Sequence, residues 1–245
     1  MMEEDGFVIF DHDPRTARWA EAAHDVAKGI ADDPETRARN LRHGKTWFVG
    51  VDTLPNAADG SVDGVALDGT WVEQVPDLPQ HAAQLSIVYP GYPQRDPDQS
   101  EANHRFRVDR MAAHVDGLLP DGPQRRRYAR EFHAYILGLP LNDVDAAPTV
   151  VWKGSHRIMH AALAKAIGNA DPREVDVTDA YHAARKHVFE SCEVVSLQAR
   201  PGQSFLIHRF ALHGTAPWQG DASEGRMIAF FRPEFGNPAE WLDGL

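Results

Sequence analysis

The sequence predicts a mainly β fold, a sandwich or barrel with flanking α-helices. Two observations predict it. The second half carries six short apolar segments divided by turns, at 108–116, 132–139, 148–152, 193–199, 203–212 and 226–232, and the first half opens with two helix-start signals. At 245 residues the chain can bury a substantial core, and with no repeat or composition break a single domain over 1–245 is expected.

In chain order, Gly6 to Phe10 reads as a short apolar strand. Asp13 before Pro14 is a favoured helix start, and Trp19, Ala22, Ala23, Val26, Ala27 and Ile30 then form one stripe at spacings of three and four. Asp33-Pro34 repeats the start signal, with Gly44 placed to end the second helix. Between Thr46 and Val75 the runs 47–51 and 62–67 read as hairpins or a long ordered loop. QLSIVY at 84–89 is a strand, and the polar stretch after it, to about Arg105, is a surface loop. Ser155 is placed to cap a helix ending near Gly168, and Thr178 another running to about Glu190.

Composition narrows the function classes. No run approaches the roughly 20 apolar residues of a membrane span, and the acidic start MMEEDGFVIFDHD is unlike a signal peptide, so a cytoplasmic protein is expected. One cysteine, Cys192, leaves no intrachain disulfide and no CxxC metal motif. A formal charge of −11 opposes polyanions, so no nucleic-acid partner is expected. The arginines at 105, 107 and 110 and at 125, 126, 127 and 130 read as solvated or salt-bridged faces, with an anionic substrate group as the lesser reading.

The chemistry is carried by DRMAAHVDG, where His114 and Asp116 stand two apart. On a strand that spacing puts both side chains on one face, and one more histidine completes a two-histidine, one-carboxylate metal set. HxD is a weak motif by itself, arising about once by chance in a chain with 13 histidines. Context comes from 201–232, read as a turn, a strand ending near His213, a polar loop and a returning strand opened by Arg226. If that strand lines a barrel, Arg226 points inward with Ile228 and Phe230, and an inward guanidinium needs a carboxylate partner, which a bound dicarboxylate would provide. Other readings stand beside these: His114 and Asp116 as surface neighbours, His213 as a satisfied core histidine, and Arg226 as an edge-strand residue paired with Glu224 or Asp221. His208 falls on the opposite strand face from His213, and His133, Gln84 and Ser86 are placed to reach a cavity without being assigned roles.

Taken together, DGFVIF, His114-Val115-Asp116, APTVVWKGSH and Gly202 before the strand leading to His213-Gly214-Thr215, with Arg226 beyond, resemble the phytanoyl-CoA dioxygenase (PhyH) family over most of the chain. VVWK before the GSH tripeptide and the segment 168–192 depart from the family's pattern. The resemblance implies a double-stranded β-helix (jelly roll, cupin-like). It implies Fe(II) held by His114, Asp116 and His213 as catalytic metal ligands, and 2-oxoglutarate held by Arg226 and Thr215. It also implies O2 as oxidant and a small organic molecule as substrate, most simply hydroxylated. Retention of Asp116 favours hydroxylation or desaturation over halogenation, for which related enzymes replace the carboxylate by a small residue. Two alternatives have other signatures: a cupin-like isomerase or hydrolase without keto acid, and a ligand-binding relative without turnover.

Overall fold

The computed structural model describes residues 2–243. Its strands are β1 (Phe7–Phe10), β2 (Leu41–Arg42), β3 (Trp47–Leu54), β4 (Ala83–Val88), β5 (Leu118–Asp121), β6 (Arg126–Ala129), β7 (Tyr135–Pro140), β8 (Thr149–Trp152), β9 (Val194–Leu197), β10 (Ser204–His208), β11 (His213–Thr215) and β12 (Arg226–Phe231). The helices are α1 (Met2–Asp5), α2 (Pro14–Asp32), α3 (Pro34–Asn40), α4 (Glu101–Asp109), α5 (Ser155–Ile167) and α6 (Thr178–Ser191).

One antiparallel sheet runs β1-β10-β7-β12-β4-β3-β2 and a second runs β11-β8-β9, extended by a bridge from His114 to His213. Eight segments form the barrel in chain order: β4, the His114 segment, β7, β8, β9, β10, β11 and β12. Within the large sheet they lie in the order first, eighth, third, sixth, and in the small one second, seventh, fourth, fifth. That alternation is the double-stranded β-helix: two sheets wound from one folded-over ribbon, closing over a shared interior.

Strand alternation divides the core into layers. Ile136, Val151, Phe205, Ile207, Ile228 and Phe230 fill the space between the sheets. From β12 the alternate residues Met227, Ala229 and Phe231 face outward and pack with the α2 residues Trp19, Ala23 and Ala27. Trp19 is fully buried, 5.6 Å from the Phe231 ring, and its indole donates to the Gly60 carbonyl. On the far side, α5 and α6 cover the small sheet through Met159, Leu163, Tyr181 and Val188.

Asp13 caps α2 by accepting from the Arg15 amide, and Asp33 caps α3 by accepting from the Thr36 amide, as the Asp-Pro signals predict. Several expectations need correction. Gly44 does not end the second helix, which stops at Asn40; with φ +63° it lies between β2 and β3. Of the two readings of the run 47–51 the hairpin holds and the loop does not, since the run belongs to the eight-residue strand β3, paired antiparallel with β2. The polar stretch before Arg105 is partly helical, since Ser100 caps α4 by accepting from the Asn103 amide. Ser155 and Thr178 open helices without capping them. The Ser155 hydroxyl accepts from the Leu212 amide, and the Thr178 hydroxyl donates to Asp176 and accepts from the Arg127 amide.

His208 is buried at the end of β10, its ring 4.9 Å from that of His156. Burial, with Arg209 beside it, pushes its pKa from 6.5 down to about 3. The folded ring is therefore neutral where the unfolded one takes a proton, so stability present above pH 6.5 is lost as pH falls toward 3, at about 1.4 kcal/mol per unit. The urea midpoint of wild type is expected to fall more steeply between pH 6.5 and 4.5 than that of His208→Phe; parallel slopes would exclude His208 as a source of acid lability.

Candidate metal centre

The segment 108–116 is not a strand. α4 runs to Asp109, and Met111 and Ala112 then take left-handed φ values of 52° and 54°, two in succession, which turn the chain out of an extended path. A single antiparallel bridge follows, with the His114 amide donating to the His213 carbonyl at 2.9 Å and the reverse bond at 3.0 Å. The expected long strand 203–212 also breaks. β10 ends at His208, the Ala211 amide turns back to the His208 carbonyl at 2.8 Å, and His213 begins β11 in the other sheet rather than ending a strand. This crossing from sheet to sheet separates His208 from His213, whereas the sequence reading relied on strand alternation.

Gly214 makes the juncture possible. A Cβ there would stand 2.1 Å from the Met111 carbonyl oxygen, and the Thr215 amide donates to that same carbonyl at 3.0 Å. Gly214→Ala is expected to cost about 1–3 kcal/mol and to weaken divalent-metal binding, read by denaturant midpoint and Mn(II) titration. An unchanged metal affinity would mean the close approach does not set the site.

His114, Asp116 and His213 converge so that one potential ligand atom from each lies within 4.8 Å of the others. His114 Nε2 is 3.1 Å from Asp116 Oδ1, and His213 Nε2 is 3.6 Å from Oδ2. The two imidazoles are held identically: His114 Nδ1 donates to the Ala112 carbonyl at 2.9 Å and His213 Nδ1 to the Ala211 carbonyl at 3.0 Å. A carbonyl only accepts, so both rings carry hydrogen on Nδ1, and in the neutral form each would offer Nε2 as a lone pair to a metal. Among the described residues His213 Nε2 is buried with no hydrogen-bond partner, and burial holds the ring's pKa below its usual value, in the neutral form. Asp116 is raised by burial but driven well below the usual carboxylate range by Arg232 and His213, so it is an anion. Two neutral imidazoles and one carboxylate fit a divalent metal of intermediate softness.

The triad lines a cavity of about 860 Å³ together with Trp47, Val49, Ser86, Thr149, Thr215, Phe230 and Arg232. Solved structures similar to this chain include proteins crystallised with iron or with 2-oxoglutarate. One is EctD from S. alaskensis with bound Fe, at 15% identity over 94% of this chain and 73% of that one, TM-score 0.48. A second is the same protein with 2-oxoglutarate and 5-hydroxyectoine, at 16% identity, 94% and 72%, TM-score 0.46. A third is the non-heme alpha ketoglutarate dependent carbocyclase SnoK from nogalamycin biosynthesis, at 14% identity, 95% and 81%, TM-score 0.46. No protein-family model matches the chain, and no curated protein matches it in sequence. The chemistry is read from the strand order and the triad rather than from these likenesses.

Thr215 lines the cavity and pairs with Thr149, whose buried hydroxyl has no partner. Arg226 alternates inward with Ile228 and Phe230 as expected, on a central strand between β4 and β7 rather than an edge. It is 5% exposed, and among the described residues its Nε has no hydrogen-bond partner. Burial, countered by Tyr92, pushes its pKa down to about 10. Arg226 does not line the large cavity. It borders a small void with Asp145 and Ile228, and Ile228 pairs across to Ser86 of β4, which lines the large cavity.

Sequence reasoning missed Arg232, Trp47 and Glu131. Arg232 Nε donates to Asp116 Oδ2 at 2.6 Å and Nη1 to Gln84 Oε1 at 2.8 Å. The Trp47 indole donates to Ser86 Oγ at 2.9 Å from inside the cavity. Glu131 pairs with His133 at 3.1 Å on its wall. Alternation along β3 could have placed Trp47, but nothing local marks the other two. Arg110 stacks on Phe189, Arg127 on Tyr181, and Arg126 pairs with Asp176, whereas Arg107 donates to the buried Tyr92 hydroxyl at 3.0 Å and lies over Trp47 of the cavity wall. Among the described residues no helix is long and apolar enough to cross a membrane.

Proposed function

We propose that the protein is an Fe(II)/2-oxoglutarate-dependent dioxygenase of the PhyH type, one domain that hydroxylates a small organic molecule. The observation that carries this reading is the pair of imidazoles with Nδ1 committed to backbone carbonyls and Nε2 turned toward one ionised carboxylate. His114, Asp116 and His213 hold the iron, leaving open positions for the keto acid and dioxygen. When bound, these groups supply the oxidant that takes hydrogen from a substrate carbon, with succinate and carbon dioxide released.

The chain's own residues orient and protect. The backbone bonds to Nδ1 fix both ring tautomers. Arg226 supplies an unpartnered buried cation for the distal carboxylate of 2-oxoglutarate, and the Thr215 hydroxyl supplies a donor. Trp47, Val49 and Phe230 give the cavity an apolar wall that limits water and leaves room for an organic substrate.

Arg226's place outside the cavity lining favours one second reading, a cupin-like isomerase or hydrolase that uses the triad without keto acid. Oxygen uptake and succinate release separate the two. The dioxygenase consumes oxygen and forms succinate from 2-oxoglutarate only with Fe(II), slowly even without its substrate. Bound metal with neither oxygen uptake nor succinate would favour the cupin-like enzyme.

A further inference from the structure

We infer that Arg232 is a positioning residue that confines Asp116 to a single metal bond. This rests on the metal reading of the triad. A carboxylate has two oxygens and can close two coordination positions when both face a metal; a ligand set that must leave room for two co-substrates needs it to close one. Asp116 Oδ2 is taken by Arg232 Nε at 2.6 Å, a short charge-assisted bond, and stands farther, 3.6 Å, from His213 Nε2, while Oδ1 is turned toward His114 Nε2 at 3.1 Å. The arginine and carboxylate are 16% and 13% exposed as side chains, so water competes little for this bond.

Arg232 is itself held at three points. Its Nη1 donates to Gln84 Oε1 at 2.8 Å, from the first barrel strand. Its amide donates to His81 Nε2 at 3.2 Å, and its carbonyl accepts from His133 Nδ1 at 3.1 Å. The guanidinium is therefore anchored to the large sheet and reaches across the mouth of the barrel to a residue 116 positions away in sequence. Phe230 lies beneath it, the guanidinium carbon 5.3 Å from the ring centroid. A residue needed only to neutralise Asp116 would not require Gln84; a residue that fixes which carboxylate oxygen stays free does.

The test uses Mn(II) in place of iron, reading the number of exchangeable metal-bound waters by proton relaxivity per bound ion. Wild type, Arg232→Met, Arg232→Lys and Gln84→Met are compared at matched Mn(II) saturation. With three protein ligands in an octahedral set, about three positions hold water. When Asp116 is released to bind through both oxygens, the relaxivity of Arg232→Met is expected to fall by about one third. Its 2-oxoglutarate affinity is expected to fall about 10- to 100-fold, the range typical of partners that orient a ligand. Arg232→Lys, which keeps charge without the fork, should recover only part of either value. Gln84→Met should show a smaller shift in the same direction and keeps the test decisive if Arg232→Met does not fold. Folded variants with wild-type relaxivity and 2-oxoglutarate affinity would overturn the role of Arg232 while leaving the metal centre intact. Failure of wild type to bind Mn(II) at all would overturn the metal reading and this inference with it.

Discussion

His213→Ala loses divalent-metal binding by more than 100-fold and with it all metal-dependent oxygen uptake, while the fold persists. On the proposed reading the ring is one of three ligands, and even partners that merely orient a ligand are worth about 10–100-fold, so loss of a ligand exceeds that range. Apo stability should fall by about 1–3 kcal/mol, because removing the buried ring leaves the Ala211 carbonyl without the Nδ1 donor, a cost only partly offset by removal of the unpartnered Nε2. Calorimetric titration with Mn(II), together with a melting curve of each apo form, measures both effects. Metal binding within tenfold of wild type would remove His213 from the ligand set.

Arg226→Met is expected to move stability and co-substrate binding in opposite directions. In the metal-free, keto-acid-free protein the substitution removes a buried charge whose pKa burial has already pushed down to about 10, and replaces it with an apolar chain of similar length. Apo stability should rise by about 1–3 kcal/mol, a shift of a few degrees in Tm. Binding of 2-oxoglutarate should weaken by about 30-fold or more, because truncating one partner of a buried charge pair costs about 2–5 kcal/mol. Wild type should consequently gain more stability than the variant when 2-oxoglutarate is added. A variant that is less stable when apo and binds 2-oxoglutarate as well as wild type would make Arg226 a structural residue and would strengthen the cupin-like alternative.

The fold was legible in the sequence wherever periodicity and punctuation agreed. Asp13-Pro14 and Asp33-Pro34 mark helices that form where expected, and β4, β7, β8, β9 and β12 lie within or overlapping apolar runs bounded by turn residues. The failures have physical causes. The segment 108–116 is apolar enough for a strand, but the chain must turn sharply at Met111 and Ala112 to bring His114 against His213, and left-handed φ at non-glycine residues leaves no local signal. α4 is polar, with none of its residues buried, so no stripe announces it. The run 203–212 is apolar on both sides of His208-Arg209 because both halves are buried, and without a glycine or proline that polar pair does not announce the turn that carries the chain from one sheet to the other.

The candidate site was legible to the extent that its members have a chemical reason to recur in order. His114, Asp116 and His213 come together as the ligand reading of the motif expects, and Thr215 follows on the same short strand as His213. Arg232 stands at the end of an apolar run before a proline and is indistinguishable, in sequence, from a residue that leaves the sheet. Its meaning comes from Asp116 and Gln84, both more than a hundred residues away. Arg226 shows the reverse: alternation gives its direction correctly, but only the three-dimensional cavity shows that it lies one step behind the lining.

The most direct measurement is an anaerobic titration of 2-oxoglutarate into the Fe(II)-loaded protein, following the weak visible metal-to-ligand charge-transfer band. The expected result is a saturable band in wild type that is absent in His213→Ala and needs far more keto acid in Arg226→Met. Stoichiometric Fe(II) binding with no band at any 2-oxoglutarate concentration would contradict the dioxygenase assignment and leave a metal centre of the cupin-like kind.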